Sequence, residues 1–188
     1  MVEGYKRQVL LLSLLDELKA HGSWCGETHI QKTAFFLEGG LGVPLGLAFY
    51  MYKYGPFSSD LRQLLGELRA SYLIDIEPRT PYGPSLIVSD AGRELMGRFP
   101  KTQERYRNAI EFVAGNLGAR SVADLERLST ALFVRKEGIL GPEDQARRLV
   151  ELKPHVELHQ AEEAVETVDS LLADAERMSL STKDAVTF

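Results

Sequence analysis

The sequence predicts a mainly α-helical fold with one small β-hairpin: a winged-helix unit over residues 1–100 packed against a helical half over 101–188. Three observations lead there. Up to residue 100, three helical patterns precede two short apolar runs separated by turn residues, and a fourth helix start follows. The run Val9–Leu15 is apolar except for Ser13, as expected of a helix at the centre of a core. Past Pro100 every segment carries helical periodicity.

The elements follow in order. Lys6 to Ala20 reads as the first helix, with Gly22 as its C-cap. Glu27 to Glu38 reads as the second, with Ile30, Ala34 and Leu37 on one face. The glycines at 39, 40, 42 and 46, with Pro44, predict a loop. Leu47 to Tyr54 alternates, Tyr50, Tyr52 and Tyr54 pointing one way, which is the period of a strand. Tyr54-Gly55-Pro56-Phe57 reads as a turn. Ser58 then caps a third helix, and Leu61, Leu64, Leu65 and Leu68 mark its core face. Tyr72–Glu77 and Ser85–Val88 predict a hairpin, the wing, with a long loop through Pro78, Pro81, Tyr82 and Pro84. The helix before it, Ser58 to Ala70, occupies the recognition-helix position.

Ser89 opens a helix reaching about Phe99, and Thr102 to Asn116 is the next. Ser121 with Asp124 three residues on opens another, carrying Leu125, Leu128 and Leu132. Pro142 begins a short helix that Pro154 closes. The last helix, Val156 to Met178, has apolar positions at Leu158, Ala161, Val165, Val168, Leu172 and Ala175, a narrow heptad-like seam. The final eight residues are expected to fray.

Composition narrows the function classes. With 44% hydrophobic residues the chain can bury a real core, and its single cysteine, Cys25, fits a reducing, cytoplasmic setting. Acidic Asp16 and Glu17 follow the first apolar run, which is too short for a membrane span and lacks a cleavage site. The net charge of −5 is uneven: residues 155–188 hold eight acidic and two basic side chains, which leaves 19 and 20 for residues 1–154. No bulk positive field points to nucleic acid, although a local patch can serve.

The stretch Tyr52-Lys53-Tyr54-Gly55-Pro56-Phe57-Ser58, with the leucines that follow, resembles the YwgA-like bacterial and archaeal proteins. The Gln31-Lys32 helix, Val88-Ser89-Asp90-Ala91-Gly92 and Leu152-Lys153-Pro154-His155 add to that resemblance, which covers most of the chain. The first half is more distantly similar to the Panacea domain of SocA-like antitoxins. This resemblance implies a non-enzymatic fold, and on the Panacea side a role in counteracting or delivering a toxin partner.

Two binding readings stand. One is a partner-protein module anchored by Tyr50, Tyr52, Tyr54 and Phe57, and by Leu158 and Val165 on the last helix, where a homodimer is also conceivable. The competing reading is that these side chains pack within the chain itself. The other is a DNA-binding regulator, with Ser59, Arg62, Gln63 and Arg69 reading bases, Arg79 in the wing, and Arg93 with Arg98, Lys101, Arg105 and Arg107 along the backbone. Asp60 and Glu67 on the same helix oppose it. An acidic tail that shields Arg93 to Arg107 in cis is a further possibility.

No catalytic constellation emerges. There is no Gly-x-Ser-x-Gly, and the Gly39–Gly46 stretch lacks the Gly-Lys-Ser/Thr of a phosphate loop. Cys25 and His29, spaced four apart, read as packing residues on one helix rather than a nucleophile and its base. His155 and His159 could share a metal with Glu162 or Glu163, but the segment is neither His-Glu-x-x-His nor His-x-x-Glu-His and reads as two solvated histidines on a surface helix. The expectation is a non-enzyme with no metal and no cofactor.

Overall fold

The computed structural model describes residues 2–81, 83–139 and 141–180. Tyr82 in the wing loop and the final eight residues, for which fraying is expected, lie outside the described residues.

The chain is mainly α with small antiparallel hairpins. The order is α1 (Val2–Ala20), α2 (Glu27–Phe35), β1 (Tyr50–Tyr52), β2 (Gly55–Phe57), α3 (Ser59–Ala70), β3 (Ile74–Glu77), β4 (Ser85–Val88), α4 (Asp90–Gly97), α5 (Pro100–Leu117), α6 (Val122–Lys136), α7 (Pro142–Leu152) and α8 (Leu158–Arg177). Helix α1 begins four residues earlier than its apolar pattern predicts.

Helix α1 is the centre of the molecule. Val9, Leu10, Leu11, Leu12, Leu14, Leu15 and Leu18 are each at most 1% exposed, because α2, α4, α5 and β4 surround it. Burying one such leucine contributes on the order of 2 kcal/mol. Helix α5 packs along α1 and α6 packs on α2, so residues 1–100 and 101–188 share one continuous core rather than separate ones. Helices α6, α7 and α8 close the far side as a mutually packed trio.

Three serine caps form as the sequence predicts. Ser58, Ser89 and Ser121 accept hydrogen bonds from the amides of Leu61, Gly92 and Asp124 at the starts of α3, α4 and α6. Capping answers amides that have no partner inside the helix.

Two local expectations are corrected. The second helix does not give way to a loop at Gly39: α2 widens into a π-helical turn over Phe36–Gly40. Gly40 there faces Leu132 and Leu172, which an added Cβ would meet at ordinary contact distance. The stretch Tyr54–Phe57 is not a turn. The chain reverses at Lys53-Tyr54 and returns as β2, pairing Tyr50 with Phe57 and Tyr52 with Gly55. Its pattern is hidden because Gly55 and Pro56 are poor strand formers by composition.

The hairpin expected as a wing forms as β3–β4, with Ile74 paired to Val88 and Glu77 to Ser85. The Leu86 amide donates to the Cys25 carbonyl at 3.0 Å, which ties the wing to the α1–α2 connection. Helix α4 seats on the wing at Gly92, where an added Cβ would run into the Leu73 carbonyl oxygen and the Val88 side chain.

Leu73 O also accepts the Ser89 amide, so it cannot yield without breaking the start of α4. Gly92→Ala is therefore expected to cost about 1–3 kcal/mol through overpacking. Urea unfolding of the variant measures it; an unchanged midpoint would contradict this packing.

Candidate functional site

The β1–β2 hairpin presents an aromatic face. Residues two apart in a strand share a face, and so do directly paired residues of adjacent strands. Tyr50, Tyr52 and Phe57 therefore stand together, with ring centroids 6.3 Å (Tyr50–Tyr52), 5.8 Å (Tyr50–Phe57) and 5.7 Å (Tyr52–Phe57) apart. The Arg62 guanidinium lies 4.7 Å from the Phe57 ring centre and extends this face onto α3. Tyr50, Tyr52 and Tyr54 are 46%, 59% and 56% exposed, so they are not covered by the C-terminal helices. Tyr54 is not on the shared face. The strand ends at Tyr52, and Tyr54 sits in the turn beneath the Lys53 ammonium.

The hairpin is held from below by two buried lysines. Lys32 of α2 is 2% exposed and donates to the Pro56 carbonyl at 2.8 Å. Lys153, at the end of α7, is 3% exposed and donates to the carbonyls of Tyr52 (3.0 Å) and Lys53 (2.5 Å). Its counter-charge is Glu126 of α6, with Lys153 Nζ and Glu126 Oε1 3.0 Å apart. Gln31, beside Lys32, donates to the Ser58 carbonyl and accepts the Ser58 amide, each at 2.9 Å. Gly55 adopts φ +88° directly above this cluster, and a Cβ there would press on Ser129 Oγ, Lys32 Nζ and Thr130 Oγ1. Glycine meets both demands.

A buried ammonium is stable only with full hydrogen bonding and nearby negative charge. Two cations and one carboxylate leave this site one positive charge in excess. The backbone carbonyls of the hairpin, aimed at the ammonium groups, offset it. Burial pushes the Lys32 ammonium down to about 8, partly opposed by Glu126 and reinforced by Lys153.

Beside the aromatic face runs a groove of about 450 Å³ between α3, the start of α2 and the wing. Its walls include Trp24, Leu65, Ile76 and Leu86, with Arg62 and Arg69 on the α3 side. The DNA-reading set is distributed around it and is largely engaged. Arg62 donates to Glu27 at 2.7 Å, Gln63 donates to Glu67 at 2.8 Å, and Arg93 donates to Asp16 at 2.5 Å. Arg79 stacks over Trp24 at 5.7 Å. Ser59 and Arg69 are exposed, and Asp60 and Glu67 are exposed on the same helix.

The last helix directs its seam inward. Val165 is 1% exposed, with Ala161, Val168 and Ala175 buried beside it against the chain's own helices. Val165 is thus a core residue in this structure, and a partner helix does not reach it. Leu158, at the start of α8, is 47% exposed.

Cys25 and His29 are not on one helix. Cys25 precedes α2 with φ +52°, fully buried, and its thiol is raised by burial. His29 points away and donates from Nε2 to the Arg120 carbonyl at 2.9 Å, while burial lowers its pKa. His155 and His159 are both exposed, and His155 lies 3.7 Å from Glu126. Among the described residues no group of three or more His, Cys, Asp or Glu is placed to hold a metal ion. Among the same residues no helix is long and apolar enough to cross a membrane.

Lys32, Glu126 and Lys153 belong to this candidate site, and the sequence reading does not mark them. The segments Gln31-Lys32, Tyr52–Ser58 and Leu152–His155, far apart in sequence, converge here. No protein-family model matches this chain, and no curated protein matches it.

The Lys32 shift has a consequence for stability. An unfolded lysine titrates near 10.5, so between about pH 8 and 10.5 the unfolded chain holds a proton that the folded Lys32 has released. Stability from this group therefore rises across that window and is constant below it. Urea unfolding at pH 7.5 and pH 10 is expected to show wild type gaining relative to Lys32→Met. Parallel pH dependence in the two proteins would refute the assignment.

Proposed function

We propose that this chain is a non-catalytic, winged-helix interaction module of the cytoplasm that recognises a partner protein, in an antitoxin-like role. The observation that carries this reading is the exposed Tyr50–Tyr52–Phe57 face on a hairpin fixed by buried lysines. Tyrosine and arginine dominate interface energetics, because they offer large rigid contact area together with polar ends. Exposed aromatic rings on a mobile loop would lose much of that advantage to ordering on binding. Here Lys32 and Lys153 have already ordered the backbone beneath the rings. Tyr54 and Lys53 at the tip extend the surface, and the groove beyond Arg62 continues it.

The second reading is a DNA-binding regulator. The order of α1, α2, α3 and the β3–β4 wing supports it, with α3 as the reading helix. The internal pairing of Arg62, Gln63 and Arg93, with acidic Asp60 and Glu67 on α3, weighs against it. An interface to phosphate backbones needs cations that are free to release counterions.

Pull-down of the tagged protein from its host's lysate, with and without nuclease, separates these readings. The expected result is a stoichiometric protein companion that survives nuclease. Tyr50→Ala with Tyr52→Ala is expected to weaken that complex roughly thirtyfold or more, the loss typical of a hot spot. The melting temperature should barely move, because both rings are exposed. Loss of every companion on nuclease treatment, with sensitivity to Arg69→Ala and Arg79→Ala instead, would favour the regulator.

A further inference from the structure

We propose that the cleft between the first turns of α1, the 42–46 loop and the start of α5 binds a small polyphosphorylated ligand such as a nucleotide. This site lies apart from the aromatic face and does not rest on the partner-protein reading. The cleft holds about 800 Å³, within the roughly 300–1,000 Å³ typical of small-molecule sites. Lys6, Arg7, Lys101 and Arg105 line it, and among the described residues no carboxylate does. That is the reverse of a chain with 27 acidic and 22 basic side chains.

These four cations also differ from Arg93 and Arg98 nearby in forming no ion pair among the described residues. Arg93 and Arg98 nearby pair with Asp16 and Glu94. Elsewhere Arg135 pairs with Asp169, and Arg148 with Glu137 and Glu151. Among the described residues none of the four cleft cations forms an ion pair. Like charges gathered without counter-charge repel, and an anion that enters relieves that repulsion. Arg7 feels Glu38, but both Glu38 oxygens already accept the Gly46 and Leu47 amides, the shorter contact being 2.7 Å.

A second observation points the same way. Arg7 Nε is buried and, among the described residues, donates to no acceptor. An unsatisfied buried donor costs free energy, more so in a charged group, and the Arg7 side chain lines the cleft. Phosphate oxygens suit it, since arginine binds them through paired hydrogen bonds. The start of α5 borders the cleft through Lys101 and Thr102, and its first turn carries no acidic residue to oppose an anion. Leu10 and Tyr106, the latter beneath the Arg105 guanidinium at 5.3 Å, provide apolar wall for the organic part of the ligand.

Shape favours a small ligand over a nucleic-acid duplex. The cations converge on a concavity rather than forming a strip, and the arginines that would prolong a strip, Arg93 and Arg98, are already paired.

Calorimetric titration of the full chain with ATP, inorganic pyrophosphate and adenosine tests this. ATP and pyrophosphate are expected to bind saturably at micromolar concentration, and adenosine is not. Lys101→Ala with Arg105→Ala, both exposed positions, is expected to weaken binding roughly tenfold or more, given the strength of charge-assisted hydrogen bonds. Lys6→Ala with Lys101→Ala provides a second, overlapping pair, and Arg62→Ala on α3 should leave affinity unchanged. No saturable binding of ATP or pyrophosphate overturns the proposal. So does wild-type affinity in both double variants, or a DNA duplex that binds where the two phosphates do not.

Discussion

The buried contact between two lysines and one hairpin is the constraint on which the rest of the candidate site depends. Lys32 reaches from α2 and Lys153 from the end of α7, and both donate to backbone carbonyls of residues 52 to 56. Elements far apart in sequence are thereby locked to one turn. Glu126 supplies the counter-charge from α6, so three helices meet under a single two-stranded ribbon. A two-stranded ribbon is marginal in water by itself. This one is ordered because its carbonyls solvate ammonium groups that would otherwise be buried bare.

That arrangement separates two faces of the hairpin. Its inner side consists of backbone, Gly55 and buried Pro56, close-packed on polar side chains. Its outer side is left with large rings because nothing among the described residues covers them. The aromatic face and the buried cation site are thus one device seen from opposite sides. The cost of burying lysine within the fold supports rigidity where the surface is sticky. Hydrophobic packing under the hairpin would have served stability as well, since buried ion pairs seldom exceed apolar contacts in strength. What directional hydrogen bonds add is a defined position for the backbone.

Charge is handled differently across the molecule. On α3 and near the wing most cations are answered by carboxylates, as Arg62 is by Glu27 and Lys19 by Glu77. Such exposed pairs contribute about 0–1 kcal/mol each, so their main effect is to neutralise the surface. At the junction of α1 and α5 no such answer is given. The acidic residues of α8 lie on a helix whose apolar seam is committed to α6 and α7, and among the described residues none of them pairs with the 93–107 segment.

Much of the scaffold was legible in the sequence. The all-round apolar run Val9–Leu15 marked the central helix, the leucine spacing marked α3, and Ser58, Ser89 and Ser121 marked helix starts. Each is a local signal, set by helix periodicity or by an orphaned amide three residues on. The exposed tyrosines were also legible as an alternating run, although their grouping needed the pairing of Tyr50 with Phe57. Tertiary structure alone decided the second strand, the inward turn of Val165, the parting of Cys25 from His29, and the meeting of Lys32, Glu126 and Lys153. Those features depend on which segments touch, and a lysine looks the same in sequence whether its ammonium meets water or a carbonyl. Local chemistry determined where the elements begin and end; long-range packing decided which charges were buried and which surfaces were left to bind.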